Sequence, residues 1–149
     1  MKIMFVCMGN ICRSPSAAAI LKKIAEEAGI TLHIESSGIG DWYEGKLADS
    51  RTREAASRRG YVLSGRAQKF LPKHFDDFDY ILAVDTPVLH HLLKNASPEQ
   101  KVKISLITEF SSAFKGKDVP DPFYGGEAGF EHVLDMLEDA CDALIKKIQ

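Results

Sequence analysis

The chain has 149 residues, 45% of them apolar and 27% charged, with a formal net charge of −2. That length suits a single globular domain, 1–149, whose core needs no staples, and the near-neutral charge gives no reason to expect nucleic acid or a membrane surface as partner. No apolar run approaches the roughly 18 residues of a membrane span, and the N-terminus lacks the apolar length and cleavage site of a signal peptide.

In chain order, residues 2–6 read as a short buried strand that ends at a Gly9-Asn10 turn signal. Ser14-Pro15 then supplies an N-cap and a proline at the first helical position, and Ala17, Ala18, Ile20, Leu21, Ile24, Ala25 and Ala28 form the apolar stripe of a helix stopped by Gly29. A second strand is expected over Thr31–Glu35, followed by a glycine-rich loop, 36–46, that contains Trp42-Tyr43. Asp49-Ser50 caps a helix to Arg59 with Gly60 behind it, and 61–72 has no regular pattern. Phe78–Val84 is the third strand, and Asp85-Thr86-Pro87 opens a helix that Ser97-Pro98 breaks. Val102–Ile107 is the fourth strand, and Phe130, Val133, Leu134, Leu137, Cys141, Leu144, Ile145 and Ile148 recur at helical period near the end. Strands alternating with helices predict an α/β fold: a four-stranded parallel sheet, order 2-1-3-4, with helices on both faces. Ligands of such sheets bind beyond the C-terminal strand ends, where the winding reverses, which places the loop after the first strand at the expected site.

That loop, Cys7-Met8-Gly9-Asn10-Ile11-Cys12-Arg13-Ser14, joins a strand end to a helix start, where backbone N–H groups converge and attract anions. Helix N-termini and neighbouring cations favour the thiolate form of cysteine, and Cys7 is placed to have both influences, with the Ser14 hydroxyl in reach of its sulfur. Arg13 suits a bidentate clamp on two phosphoryl oxygens, and Gly9 and Asn10 tolerate the left-handed backbone that an inward-curling loop requires. The Walker pattern Gly-x-x-x-x-Gly-Lys-Ser/Thr is absent, the five histidines are scattered and read as surface residues, and Cys7-x4-Cys12 lacks a second ligand pair. The expected chemistry is therefore displacement on phosphorus with no metal and no cofactor. The acid for the leaving oxygen is Asp121, held between Pro120 and Pro122 on a stiff turn, with Asp118 as the rival. Three cysteines, an odd number, do not form a disulfide framework, so the chain is expected to be reduced and cytoplasmic; it is also expected to be a monomer. Cys12 has two readings, packing behind the loop or a protective disulfide with Cys7 as redox partner. Cys141 reads as core.

These residues resemble the low-molecular-weight protein tyrosine phosphatase family. The carrying motifs are Val6–Pro15, Phe78–Leu82 with Val84-Asp85, and Asp121-Pro122-Phe123-Tyr124-Gly125. A bare Cys-x5-Arg is shared by several unrelated phosphatase folds and by rhodanese-like enzymes; the longer string with Asp-Pro near the C-terminus is specific. The resemblance implies a two-step phosphatase acting on phosphotyrosine in proteins, with inorganic phosphate as product and inhibitor. Cys7 would be nucleophile, Arg13 phosphate clamp, and Asp121 acid and then base. Met8, Gly9, Asn10, Ile11, Cys12 and Ser14 would complete the phosphate loop, with Trp42 on one side of the cleft and Phe123 and Tyr124 on the other. Two departures stand out. Ser64-Gly65-Arg66-Ala67-Gln68-Lys69 has Gly65 where the family usually has a histidine that supports the loop asparagine, and Phe123 replaces the first tyrosine of the usual Asp-Pro-Tyr-Tyr. Three rivals share the scaffold: an arsenate reductase, which needs relay cysteines absent between Cys12 and Cys141; a phosphoarginine phosphatase, expected to carry threonine at Ile11; and a phosphate-binding module without catalysis.

Overall fold

The computed structural model describes residues 1–122 and 125–149, so the expectations for Phe123 and Tyr124 lie outside the described residues. Four parallel strands stand in the order β2-β1-β3-β4, as the alternation of elements predicts: β1 (Lys2–Cys7), β2 (His33–Gly38), β3 (Tyr80–Ala83) and β4 (Ile104–Leu106). β1 lies at the centre, in register with β2 from Lys2↔His33 to Cys7↔Gly38 and with β3 from Ile3↔Tyr80 to Val6↔Ala83. The C-terminal ends of β1, β2 and β3 therefore open side by side, and the chain leaves β1 toward opposite neighbours.

Both sheet faces are covered, and the two-residue period of β1 sorts its side chains between them. Ile3, Phe5 and Cys7 pack with Leu82 and Val84 under α1 (Arg13–Glu27) and the long C-terminal helix, whose Phe130, Val133, Leu134, Leu137, Leu144 and Ile145 make its buried stripe. Met4, Val6, Ile81 and Ala83 face Phe70, Phe75 and Phe78 together with Val88 and Leu92. Val88 and Leu92 belong to α4, since α2 (Ser50–Arg58) and the single-turn α3 (His74–Asp77) precede it; α4 is Thr86–Asn95, α5 is Pro98–Lys101 and α6 is Gly126–Ile148. Among the described residues no helix is long and apolar enough to cross a membrane.

Several boundaries differ from expectation, each for a local reason. β2 begins later than Thr31 and runs on to Gly38, because pairing with β1 continues through Ser36-Ser37-Gly38 despite their poor strand propensity. Helix α1 starts at Arg13 with Cys12 in the cap position; the Ser14 hydroxyl is bonded into the loop, and Pro15 falls inside the first turn, where its missing N–H costs nothing. α3 and α5 were not expected: Ser97 and Gln100 form a reciprocal capping box for α5, and a 3-10 turn, Ile107–Phe110, takes over where the fourth strand was expected to continue. His74, expected at the surface, is buried with 6% exposure between Phe70 and Phe78. The other four histidines are exposed.

Candidate active site

The loop from Cys7 to Ser14 turns over the C-terminal end of β1 and feeds α1. Cys7 is the last residue of β1 and is 3% exposed. Its sulfur accepts the Asn10 N–H at 3.2 Å and lies 2.9 Å from Ser14 Oγ in a hydrogen bond. The first contact requires the chain to double back within three residues. Asn10 allows this by taking φ 60°, the left-handed region that asparagine enters at lower cost than other side chains, and glycine is not required there.

Asn10 is almost fully buried, at 2% exposure, and its amide is bonded at both ends. Nδ2 donates to Ser14 Oγ at 2.8 Å and to Ser36 Oγ at 2.9 Å, while Oδ1 accepts the main-chain N–H of Gln68 at 2.9 Å. Ser14 also lies 3.3 Å from the Ser37 carbonyl, to which its hydroxyl donates. The β2 end presses directly on the loop: a Cβ on Gly38 would stand 2.9 Å from Gly9 C and Met8 O and 3.0 Å from Asn10 N. Only glycine permits that approach of two backbones. Beyond Gly38, Ile39 and Gly40 donate to the carbonyls of Cys7 and Met8, so the segment after β2 continues to shadow the loop.

On the opposite flank Arg13 is 7% exposed. Its Nη1 donates to Asp85 Oδ2 at 2.6 Å and to the Val119 carbonyl at 2.9 Å. Asp85 serves two structures at once, because its Oδ1 caps α4 through the Val88 N–H. Val119 is tied to the sheet through the Val84 carbonyl, and Asp118 accepts both the N–H and the hydroxyl of Thr86, at 2.9 and 2.6 Å. The segment that carries Asp121 is thereby fixed against the end of β3 and the start of α4. Asp121 itself is exposed and close enough to the loop for its charge to act on Cys12.

Cys12 lies behind the loop, 5% exposed, beside a small void of about 10 Å³ lined by Ser16, Thr52, Ala55, Pro122 and Phe130. Burial pushes its thiol up to about 12, with the charge of Asp49 adding to the effect, so it stays neutral at ordinary pH. Cys7, Cys12 and Cys141 all carry free thiols, and Cys141 is fully buried in the α6 stripe, as expected of a core residue.

The structure thus brings Cys7, Asn10, Arg13 and Ser14 together. Trp42 is 64% exposed on the loop after β2, with its ring laid over Gly40, where any Cβ would clash at 2.0 Å. Among the described residues, Tyr43 approaches the Cys7–Ser14 loop, with its ring edge 2.9 Å from where a Cβ on Gly9 would stand. Tyr43, Ser36, Ser37 and Gln68 were not singled out by the sequence. The only signal for Tyr43 was its place beside Trp42, and Ser36 and Gln68 sit in stretches without a readable pattern.

The sequence matches the family described as low molecular weight phosphotyrosine protein phosphatase over residues 2–149. A low molecular weight protein-tyrosine-phosphatase of Streptomyces coelicolor is 38% identical, over 99% of this chain and 93% of that protein. A crystal structure of a protein tyrosine phosphatase from Entamoeba histolytica, with Hepes in its active site, superposes with a TM-score of 0.96 at 41% identity, covering 99% of this chain and 96% of that one. The Drosophila arginine phosphatase shares the fold at lower identity, 27%, with a TM-score of 0.91 over 100% of this chain and 98% of that one.

Proposed function

The chain belongs to the low molecular weight phosphotyrosine protein phosphatase family, and from that premise we propose that it is a cytoplasmic protein-tyrosine phosphatase working through a phosphocysteine intermediate on Cys7. One observation carries the reading: the Cys7 sulfur accepts the Asn10 N–H at 3.2 Å and lies 2.9 Å from Ser14 Oγ, so negative charge on sulfur meets an amide donor already in place and a hydroxyl whose proton can turn to it from the Ser37 carbonyl.

In the first step Cys7 Sγ attacks phosphorus. The S–P bond forms as the P–O bond to the aryl group breaks, and the electron pair leaves on the aryl oxygen, which takes the Asp121 proton. In the second step water attacks the phosphocysteine and gives a proton to the Asp121 carboxylate. The S–P bond breaks and returns its electrons to sulfur, and inorganic phosphate departs. Nη1 of Arg13 is committed to Asp85 and Val119, which orients the guanidinium so that its remaining donors face the phosphoryl oxygens as a fork. Asp121 is preferred to Asp118 as the acid because its Asp-Pro turn matches the family pattern and its charge reaches the loop residue Cys12. The preference for phosphotyrosine over phosphoarginine rests on Ile11 and on the greater likeness to tyrosine phosphatases, 41% against 27% identity.

Para-nitrophenyl phosphate should be hydrolysed in the presence of a chelator, and Cys7→Ser should abolish turnover. Activity that survives Cys7→Ser and is lost to the chelator would replace this mechanism with a metal-dependent one. Asp121→Ala should lower kcat by about 10²–10⁴ and leave phosphate inhibition intact. Equal or faster turnover of phosphoarginine peptides than phosphotyrosine peptides would reassign the substrate.

A further inference from the structure

Asn10 must hold a left-handed backbone in a buried position, so its amide needs firm partners. One of them, the Gln68 N–H, comes from a segment with almost no regular structure, where Gly65 at φ 88° offers no side chain to brace anything. What fixes that N–H is Gln68 itself. Its Nε2 donates to Glu35 Oε1 at 3.1 Å and to the Ser36 carbonyl at 2.9 Å. Its own carbonyl accepts the Gly38 N–H at 2.9 Å, and the Gly38 carbonyl accepts the Phe70 N–H at 2.7 Å. Glu35 is oriented in turn by His33 Nε2, 2.5 Å from its other oxygen. Main chain and side chain of Gln68 are thus both fastened to β2, and the one remaining donor points at Asn10.

We infer that Gln68 is a positioning residue for the phosphate loop: its side chain, held by Glu35 and the Ser36 carbonyl, fixes the N–H that aligns Asn10, and Asn10 aligns Ser14 with the Cys7 sulfur. This deepens the phosphatase reading and rests on it. A residue that merely stapled β2 to its neighbour would contribute to folding and leave the chemical step alone. A positioning residue acts on kcat, and only through Asn10.

The test is steady-state hydrolysis of para-nitrophenyl phosphate, with thermal unfolding alongside, for wild type, Gln68→Met, Asn10→Ala and the double variant. Gln68→Met keeps the length of the side chain and removes its donors. It should lower kcat about tenfold, the rate equivalent of one hydrogen bond, with KM within about twofold of wild type. In the Asn10→Ala background the same change should have no further effect on kcat, because the pair acts as one unit. Glu35→Gln, which keeps an acceptor for Nε2, should retain most of the activity. An active wild type with an unaffected Gln68→Met, or a kcat loss that recurs in full in the Asn10→Ala background, overturns the inference alone. A wild type that does not turn over the substrate overturns the phosphatase reading and the inference with it.

Discussion

The two flanks of the Cys7–Ser14 loop are held by different physics. On the β2 flank, Asn10 is satisfied by neutral groups: two serine hydroxyls and a main-chain N–H. On the β3 flank, Arg13 brings a full charge below the surface and meets a carboxylate, with side chains 8% and 14% exposed. A neutral hydrogen bond can be supplied by whatever backbone happens to pass, so irregular chain suffices there. A buried guanidinium needs a counter-charge, and that partner has to come from a fixed element such as the cap of α4. The flanks should therefore fail differently. Asp85→Ala leaves Arg13 buried without its counter-charge and is expected to destabilise by about 3–5 kcal/mol, measured by urea unfolding. Ser36→Ala on the neutral flank removes one acceptor and should cost about 1–3 kcal/mol. Equal losses from the two would erase the distinction.

A sharper form of the comparison uses two glycines, Gly38 at the end of β2 and Gly9 in the loop it presses on. Gly38→Ala drives a methyl into the backbone of Met8, Gly9 and Asn10 at 2.9–3.0 Å, and backbone cannot move aside without carrying the loop with it. About 1–3 kcal/mol of strain is expected, together with a fall in kcat. Among the described residues, Gly9→Ala meets only the ring edge of Tyr43, the end of a flexible side chain that is 41% exposed. That change should cost under about 1 kcal/mol, measured in the same unfolding series. A Gly9→Ala variant as damaged as Gly38→Ala would mean that Tyr43 is as rigid as the strand.

The same division describes what could be read from the sequence. The proposed nucleophile Cys7, the proposed clamp Arg13 and the left-handed Asn10 lie within one contiguous run, so residue type and spacing were enough to bring them together as candidates. The supports of that run come from far along the chain. Asp85 was legible as a helix cap, because capping is local, but its second oxygen on Arg13 spans 72 residues and leaves no local trace. Ser36 reads as loop by propensity, yet parallel pairing with β1 overrides propensity and brings it to Asn10. Gln68 acts through its backbone N–H, which every residue but proline possesses, so no sequence pattern marks it. His74 was misjudged for a related reason. A single turn of helix too short to show a period rotates it inward between two phenylalanines.

His74 gives the neutral flank a weakness toward acid. The ring lies in the segment that continues from Gln68, and its Nδ1 accepts the Leu71 N–H at 2.9 Å, which only an unprotonated Nδ1 can do. Burial lowers its pKa, with Lys73 and Lys2 adding to the effect and Glu35 and Asp77 opposing it. In the unfolded chain a histidine protonates near about 6.5, so between that value and the lower folded one the unfolded state binds more protons. The stability contribution is complete above the unfolded pKa, is lost as pH falls through the interval, and is constant again below the folded pKa. His74→Phe keeps an aromatic ring in the cluster and removes the titration. Its Tm should therefore fall less than that of wild type between about pH 7.5 and pH 5.5, although it starts lower for want of the Leu71 acceptor. This is the smallest effect expected here, and it has a clear sign. Parallel pH profiles would show that acid acts on the protein elsewhere and that His74 makes no titration-linked contribution.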